Sequence, residues 1–395
     1  MAPISIDKQR ALTHLLDLLA IEGLSGREAN VAAAVCAKLL AAGCRPAWIR
    51  HDDVHQRLEG FEIGNLIVRL PASGNGNGTA RRLFMGHLDT VPLCRGAKAI
   101  RRGHRITSAG STALGGDNRT ACAALVTLVE TLLHGGIAHP PLTILFTVGE
   151  EVGLLGARHV DLDDLGRPEM GFNIDGGNPA DIAIGAIGAD RWEAHVRGKS
   201  SHAGVAPERG VSAALIASRA IADVARRGYF GKVRKGRHEG TSNVGVMRGG
   251  EATNQVTDYV FVRGESRSHR PRFIDEITAA YRAAFAKAAA SVKDDRGHAG
   301  KVEFRAERDY DSFRMPEDSP PVELALRAAR KLRLDARTRI ANGGLDANYL
   351  NAKGVPTVTL GAGQHSPHTV DEYVDVREFW NGCRLLVAIA TAPAT

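Results

Sequence analysis

The feature that most constrains the fold of this chain is an alternation of short apolar segments with helical segments. Apolar runs at residues 82–86, 142–148 and 171–174 predict strands, and a longer apolar run at 120–133 predicts a helix between the first two. Short buried strands that alternate with helices indicate a mostly parallel sheet with helices on both faces. Ligands of such sheets bind at the carboxyl ends of the strands.

The N-terminal segment predicts two helices and a strand ahead of this alternation. Four leucines at helical spacing predict an amphipathic helix over residues 7–21. Ser25, followed three residues later by Glu28, predicts a capping box for an alanine-rich second helix. Residues 65–70 predict a strand, and the glycine-rich segment 71–79 predicts an exposed turn.

The middle of the chain has a different order of elements, which predicts a separate domain. Strands and two long helices are predicted there, at residues 192–197, 211–225, 241–248, 258–264 and 273–292. This order is typical of an α+β layer on one face of an antiparallel sheet. After residue 312 the strand and helix alternation returns, so we predict a domain at 188–311 inserted between 1–187 and 312–395.

Composition limits the classes of protein to which the chain can belong. Hydrophobic residues make up 44% and charged residues 24%, as in globular proteins. No apolar run reaches the ~18 residues of a membrane span, and Asp7 precedes any signal-peptide core, so we expect a cytoplasmic protein. Five cysteines without a CxxC pair are typical of free thiols in a reducing compartment.

The net charge of +7 raises the question of a nucleic-acid partner. The basic residues are dispersed, and the densest clusters (226–227 and 232–237) lack interleaved stacking aromatics. Solvated basic loops explain these clusters, so we expect no nucleic-acid partner.

Three of the predicted strands or helices are flanked by polar motifs that suit metal chemistry. His87 and Asp89 end the strand at 82–86, where an extended chain points both side chains to one face. Asp117 lies in a Gly-Gly-Asp-Asn turn before the helix, where it is either a helix cap or a shared metal ligand. Glu150 and Glu151 follow the strand at 142–148, where they form either a solvated pair or a base beside a ligand.

Two further strand ends carry the same residue types. Asp175 ends the strand at 171–174, and a glycine-rich turn with His365 and His368 follows the strand at 355–360. Each motif alone is ambiguous between a polar surface and a site. Five such motifs with His, Asp or Glu, at the ends of predicted strands and the start of a helix in one α/β chain, favour a metal site at one edge of the sheet.

The ordered motifs H-L-D-T, G-G-D-N, G-E-E-V-G, I-D-G-G and H-T-V-D-E-Y resemble those of the M20 metallopeptidases, and most of all the peptidase T-like branch. The resemblance runs from the Ser25 region to the C-terminus. It implies a mostly parallel α/β catalytic domain with an inserted, ferredoxin-like lid and dimerisation domain. It also implies two divalent ions, zinc or else cobalt or manganese, and a homodimer formed through the lid.

The resemblance assigns a role to each polar motif. His87 and Asp175 would bind one ion, Glu151 and His368 the other, and Asp117 would bridge both. Asp89 would orient His87, and Glu150 would be the general base for a metal-activated water. The H-T-x-x-E pattern selects His368 over His365 as the ligand.

The inserted block resembles the segments of the family that contact the substrate. His202, in G-K-S-S-H-A-G, matches a histidine that stabilises the oxyanion, often from the partner subunit. Asn254 matches a residue that holds the substrate backbone, and Arg267 matches a carboxylate clamp for which a surface arginine is the alternative. Gly343 and Gly344 match a further pocket loop.

Two positions depart from the common family pattern. Asn118 stands where many relatives have a second acid, which alters the surroundings of the ligands rather than the mechanism. Asp175 replaces the Glu of many acyl-amino-acid hydrolases and favours the peptidase branch. We therefore predict hydrolysis of short peptides. The alternatives are an N-acyl-amino-acid deacylase, a carboxypeptidase-like enzyme, and an inactive metal-binding scaffold.

Overall fold

The computed structural model describes residues 5–74 and 80–393. The α-helices within these ranges are α1 (Lys8–Leu19), α2 (Ala29–Ala41), α3 (Gly116–His134), α4 (Leu155–His159), α5 (Ala213–Arg226), α6 (Pro271–Ser291), α7 (Pro320–Lys331), α8 (Asp346–Ala352) and α9 (Val376–Ala390). None of the described helices has both the length and the apolar character that crossing a membrane requires.

The β-strands of the same ranges are β1 (Ile49–His51), β2 (Leu66–Leu70), β3 (Arg82–His87), β4 (Ala99–Arg102), β5 (Arg105–Ser108), β6 (Leu142–Thr147), β7 (Met170–Ile174), β8 (Asp181–Ala186), β9 (Gly188–Arg197), β10 (Gly231–Lys235), β11 (His238–Gly249), β12 (Tyr259–Ser268), β13 (Lys301–Tyr310), β14 (Phe313–Arg314), β15 (Arg337–Ala341), β16 (Thr357–Leu360), β17 (Gln364–His365) and β18 (Tyr373–Asp375).

The chain folds into two compact units. The larger unit consists of Met1–Gly185 and Arg314–Thr395, and the smaller unit consists of Ala186–Phe313. The predicted division of the chain into a catalytic domain and a lid domain, with bounds at 188 and 311, stays a prediction.

The centre of the larger unit is a mixed sheet with a parallel middle. Strands β6, β3, β7 and β16 are neighbours in that order and run parallel to one another. Antiparallel strands flank them, with β2 next to β6 and β8 next to β16. Every residue of β3, β6 and β16 is buried, as expected for strands covered on both faces.

Helices cover both faces of this sheet. On one face Leu83, Met85 and Leu145 pack with Ala157 of α4 and Leu350 of α8. On the other face α3 packs against β3, and α1 and α9 pack against α3. This arrangement brings the carboxyl ends of the parallel strands to one edge. A small antiparallel sheet of β17, β18, β5 and β4 also belongs to this unit.

The smaller unit is an antiparallel sheet with two helices on one face. The strand order is β10, β11, β12, β9 and β13, and every neighbouring pair is antiparallel. Trp192, Ala194 and Val196 of β9 point into the core with residues of α5 and α6. The residues between them on β9 are more exposed, which is the alternation expected of a sheet covered on one side.

The predicted fold class is therefore confirmed, while some predicted details are wrong or lie outside the description. Ser25 and Glu28 do not form a capping box: α2 has Glu28 at its cap position without a side-chain cap bond. Within the turn predicted at 71–79, Ser73 forms an isolated antiparallel bridge with His139, and residues 75–79 lie outside the described residues. Helices α8 and α9 were not predicted.

Candidate metal centre

Three neighbouring parallel strands carry polar side chains to the same edge of the larger sheet. β3 ends at His87, β6 is followed by Glu150 and Glu151, and β7 is followed directly by Asp175. β3 pairs with β6 on one side and β7 on the other, in parallel registers. Because parallel strands end together, these four side chains meet, as the sequence predicted.

Asp117 comes to this edge on the Gly-Gly turn that opens α3. Gly115 has a φ of 80°, which favours glycine, and the Asp117–Asn118 peptide bond is cis. The Glu372 carboxylate accepts hydrogen bonds from the backbone N–H groups of Leu114, Gly115 and Asp117, at 2.7, 2.8 and 2.9 Å. The turn is thus held by backbone bonds, and Asp117 presents its carboxylate instead of capping the helix.

The Asp117 carboxylate lies between two imidazoles. His87 Nε2 is 3.0 Å from Asp117 Oδ1, and His368 Nε2 is 3.4 Å from Asp117 Oδ2. His368 Nε2 is also 2.9 Å from Glu151 Oε1. Ligand atoms of His87, Asp117 and Glu151 all lie within 4.8 Å of one another. One carboxylate with a different histidine at each oxygen is an arrangement that suits a ligand shared by two cations.

Asp89 orients the neighbouring groups. Its Oδ1 is 3.3 Å from His87 Nδ1, and its backbone oxygen is 3.0 Å from the same nitrogen. Its two carboxylate oxygens accept the backbone N–H groups of Glu150 and Glu151, at 3.0 and 3.1 Å. With Nδ1 engaged by Asp89, Nε2 faces Asp117 and is the nitrogen that can bind a metal, which is the usual arrangement around a histidine ligand.

Asp175 is held at the site by an amide side chain. Gln364 Nε2 donates to Asp175 Oδ1 at 3.1 Å, and Thr120 Oγ1 donates to the Gln364 side-chain oxygen at 2.9 Å. Burial raises the pKa of Asp175 well above its ordinary value, and the nearby carboxylates of Asp117 and Glu151 add to the rise.

The two glutamates after β6 differ in their surroundings. Burial raises the pKa of Glu150 well above its ordinary value; the charge on His87 opposes that rise, and the carboxylates of Asp175 and Asp346 add to it. Burial also raises the pKa of Glu151, although its hydrogen bond with His368 works in the opposite direction. The pKa of Glu150 is therefore raised further than that of Glu151, whose carboxylate has a histidine partner.

The charge balance of the site fits divalent cations. Hydrogen bonds to Asp117 and Glu151 raise the pKa of His368 to about 10. Burial alone would lower the pKa of His87, but its carboxylate neighbours Asp117 and Asp89 raise it well above the ordinary value. The crowded carboxylates therefore favour protons on these two imidazoles when no metal is bound. Metal ions would displace those protons, since imidazole binds metals in its neutral form.

The two histidines of the C-terminal turn have different partners. His365 Nε2 is 2.5 Å from Glu378 Oε2 of α9, and its ring stacks on Tyr373 at 4.8 Å between centroids. His368 instead reaches Glu151 and Asp117. The structure therefore brings only His368 of this pair to the carboxylates of the site.

Several buried polar residues support the site without having been assigned a role from the sequence. Asp346 is 1% exposed, and its Oδ2 accepts the hydroxyl of Thr147 at 2.5 Å. Burial raises its pKa to about 6. The buried guanidinium of Arg119 donates to the carbonyl oxygens of Leu18 and Leu88. The N-G-G-L-D segment contained a signal for Asp346, but nothing in the pattern marked Arg119 as buried.

In the smaller unit, His202 and Asn254 lie on adjoining segments. His202 forms an isolated antiparallel bridge with Gln255, and the Asn254 backbone oxygen accepts the N–H of Ala203 at 2.8 Å. The His202 side chain is exposed, and its Nδ1 accepts the N–H of Gly204 at 3.2 Å. With Nδ1 accepting this bond, Nε2 is the ring nitrogen that can donate to another group.

The remaining predicted substrate residues are less distinctive. Arg267 Nη2 pairs with Glu265 Oε2 at 2.9 Å on the same strand, so its charge is already engaged within the smaller unit. Gly343 is exposed and Gly344 half-buried, in the loop between β15 and α8 of the larger unit. In the structure Arg267 therefore does not have the geometry of a carboxylate clamp, and the two glycines lie in an open loop.

Together, the parallel sheet edge with its histidine and carboxylate cluster and the separate antiparallel unit define the class of a metal-dependent hydrolase. The model of peptidase family M20/M25/M40 matches residues 83–392, so the chain belongs to this family and is a metal-dependent peptidase. The predicted M20 identity is confirmed.

The relatives extend over nearly the whole chain. The uncharacterized protein YqjE of Bacillus subtilis (strain 168) is 31% identical, over 97% of this chain and 98% of its own length. The aminopeptidase PepT of Bacillus cereus ATCC 10987 is 31% identical with a TM-score of 0.81, and a tripeptidase of Staphylococcus aureus is 29% identical with a TM-score of 0.86. Each solved structure aligns over 98% of both chains, so the chain is peptidase T-like in fold.

Proposed function

We propose that the protein is a di-zinc peptidase that removes the N-terminal residue from short peptides, tripeptides in particular. The observation that carries this proposal is the carboxylate of Asp117 between two imidazoles, with Glu150 at the adjoining strand end. Similarity to an aminopeptidase and a tripeptidase over the whole chain supports the choice of substrate.

The residues of the site suit two ions. His87 and Asp175 would hold one, Glu151 and His368 the other, and Asp117 both, with cobalt or manganese as substitutes for zinc. When bound, the ions would polarise the scissile carbonyl and lower the pKa of water towards neutrality. Asp89 fixes the direction of His87 through its contacts with Nδ1.

Glu150 carries the proton transfer in this proposal. Its carboxylate would accept a proton from the attacking water and then deliver it to the leaving nitrogen. Burial and neighbouring carboxylates raise its pKa in the metal-free site, which favours the acceptance of a proton. The hydrogen bond from the Glu150 backbone N–H to the Asp89 carboxylate fixes the backbone of Glu150.

The smaller unit is proposed to act as lid and dimerisation domain. His202 would donate from Nε2 to the tetrahedral oxyanion, a contribution of about 3 to 4 kcal/mol for one such donor. Asn254 would hold the substrate backbone, and Arg267 would exchange its contact with Glu265 for the substrate carboxylate. Gly343 and Gly344 would lie along the pocket. We further propose a cytoplasmic homodimer.

The test is a substrate panel measured on the full chain loaded with zinc, cobalt or manganese. Tripeptides with free amino termini should be cleaved, and acetylated amino acids and N-blocked tripeptides should not. A chelator should abolish the activity, and re-added metal should restore it. Preferential cleavage of acetylated amino acids would instead show a deacylase, and release of C-terminal residues from blocked peptides would show a carboxypeptidase.

A further inference from the structure

A buried turn of the larger unit, residues 23–28, bonds directly to the two loops that carry Asp89 and Glu150. Ser25 Oγ donates to Asp89 Oδ2 at 2.6 Å. Glu28 Oε1 accepts the N–H of Gly149, the residue before Glu150, at 3.1 Å. The sequence pattern predicted that these two side chains would cap α2, so their actual partners need another explanation.

The buried position of the Glu28 side chain is unfavourable for the stability of the fold. The residue is 0% exposed, and among the described residues its Oε2 has no hydrogen-bond partner. Burial, together with the charge of Asp89, raises its pKa to about 7. A buried carboxyl whose second oxygen lacks a hydrogen bond is costly to the fold, so its position implies a compensating role.

Further hydrogen bonds hold the turn at residues 23–28. The backbone N–H of Thr90 donates to the Gly23 oxygen at 3.0 Å, and Glu28 Oε1 accepts the N–H of Gly26 at 2.9 Å. Leu24 and Thr90 form a parallel bridge. The loop after β3 and the loop after β6 are therefore both fixed to one rigid turn.

We infer that Ser25 and Glu28 are positioning residues of the peptidase site. Ser25 holds the carboxylate of Asp89, which orients His87 and the N–H groups of Glu150 and Glu151. Glu28 holds the Gly149 turn, from which the Glu150 side chain departs. This inference rests on the proposed function for its kinetic consequences, but the placement of the loops can be measured without catalysis.

The experiment compares Ser25→Ala and Glu28→Ala with matched controls elsewhere in the larger unit. Thr143→Val removes a buried hydroxyl that donates to the Leu165 oxygen at the start of β6. Glu130→Ala removes a buried carboxylate that lies about 20 Å along α3 from Asp117. Glu28→Gln keeps an acceptor oxygen and serves as the conservative variant.

Two readouts are taken on each metal-loaded variant. Losing a group that supports metal ligands typically costs about 10- to 100-fold, so Ser25→Ala and Glu28→Ala should lower kcat by that factor with little change in KM. Hydrogen exchange of a peptide covering residues 148–152 should become faster in both. Glu28→Gln should recover most of kcat, and the two controls should alter thermal stability only.

Each outcome decides the inference. Unchanged kcat and unchanged exchange at 148–152, with only a lower melting temperature as in the controls, would show that the turn is merely structural. If the wild-type protein cleaves no peptide, the proposed function fails. Exchange at 148–152 then decides the positioning role on its own, since faster exchange only in the Ser25 and Glu28 variants supports it and equal exchange overturns it.

Discussion

Two buried acids of the smaller unit and two buried acids at the sheet edge of the larger unit have opposite surroundings. In the smaller unit such acids lie against cations: Asp190 pairs with Arg308 at 2.6 Å, and Asp294 pairs with Lys199 at 2.8 Å. The Lys199 contact lowers the pKa of Asp294. At the sheet edge of the larger unit, Glu150 and Asp175 lie among other carboxylates, and their pKa values rise.

The difference separates groups that stabilise the fold from groups kept for chemistry. Paired acids retain their charge and support the local structure. Crowded acids oppose folding unless protons, histidine cations or metal ions balance their charge. The contrast leads to four predictions.

The largest effect is expected from the proposed base. Glu150→Gln should lower kcat by about 10² to 10⁴-fold, because the variant has no carboxylate to accept the proton. Metal content by elemental analysis should match the wild type, since Glu150 is not among the proposed ligands. Glu130→Gln is the matched control, and an equal loss of kcat in both would remove the assignment of Glu150.

The next effect concerns the stability of the metal-free protein. Burial raises the pKa of Asp346 from 3.8 to about 6, so this group favours folding below its unfolded pKa and that contribution is lost as pH rises through 6. The loss between about pH 4 and about pH 8 is on the order of 3 kcal/mol. Denaturant unfolding should show a shallower decline for Asp346→Asn than for the wild type. If the unfolding free energies of Asp346→Asn and of the wild type depend equally on pH, burial does not raise the pKa of Asp346.

Metal binding should stabilise the two units unequally. At a zinc concentration of about 100 times Kd, a ligand that binds only the native state adds about 2.7 kcal/mol. Hydrogen exchange should slow near residues 87, 117 and 148–152, while the core of the smaller unit around Trp192 should gain less. Equal slowing of hydrogen exchange in both units would contradict the proposed difference between paired and crowded acids.

The smallest effects distinguish the two histidines of the C-terminal turn. His368→Ala should weaken metal binding by at least the roughly 10- to 100-fold (about 1.4 to 2.7 kcal/mol) that loss of a residue supporting a ligand costs, which competition with a chromophoric chelator measures. His365→Ala should leave metal affinity unchanged and lower stability by about 1 to 2 kcal/mol, because its partly exposed pair with Glu378 and its stacking on Tyr373 are lost. The reverse ranking would exchange their roles.

Much of the fold could be predicted because strand patterns report burial directly. The apolar segments that predicted β3, β6 and β7 are buried at all or nearly all of their positions, as their composition indicated. The convergence of His87 and Asp175 followed from the parallel registers that such strands adopt. Asp117 was left open between a cap and a ligand, and its contacts now favour the ligand.

Other features depend on tertiary partners that no local pattern contains. Ser25 and Glu28 have the spacing of a capping box, yet their side chains reach Asp89 and Gly149 instead. The choice between a local backbone donor and a distant one is made by packing. Arg119 was missed for the same reason, since its acceptors come from the end of α1 and the loop after β3.

His368 and Glu151 are 217 residues apart in the sequence, and this separation affects when the metal site can form during synthesis. Glu372, which holds the Asp117 turn, lies 255 residues beyond that turn. Translation delivers the N-terminal segments first, so a nascent chain carries most of the ligands long before it carries the last. With the proposed ligands, the two-ion site can therefore form only after the segment that carries His368 and Glu372 has been made and has folded against the Asp117 turn.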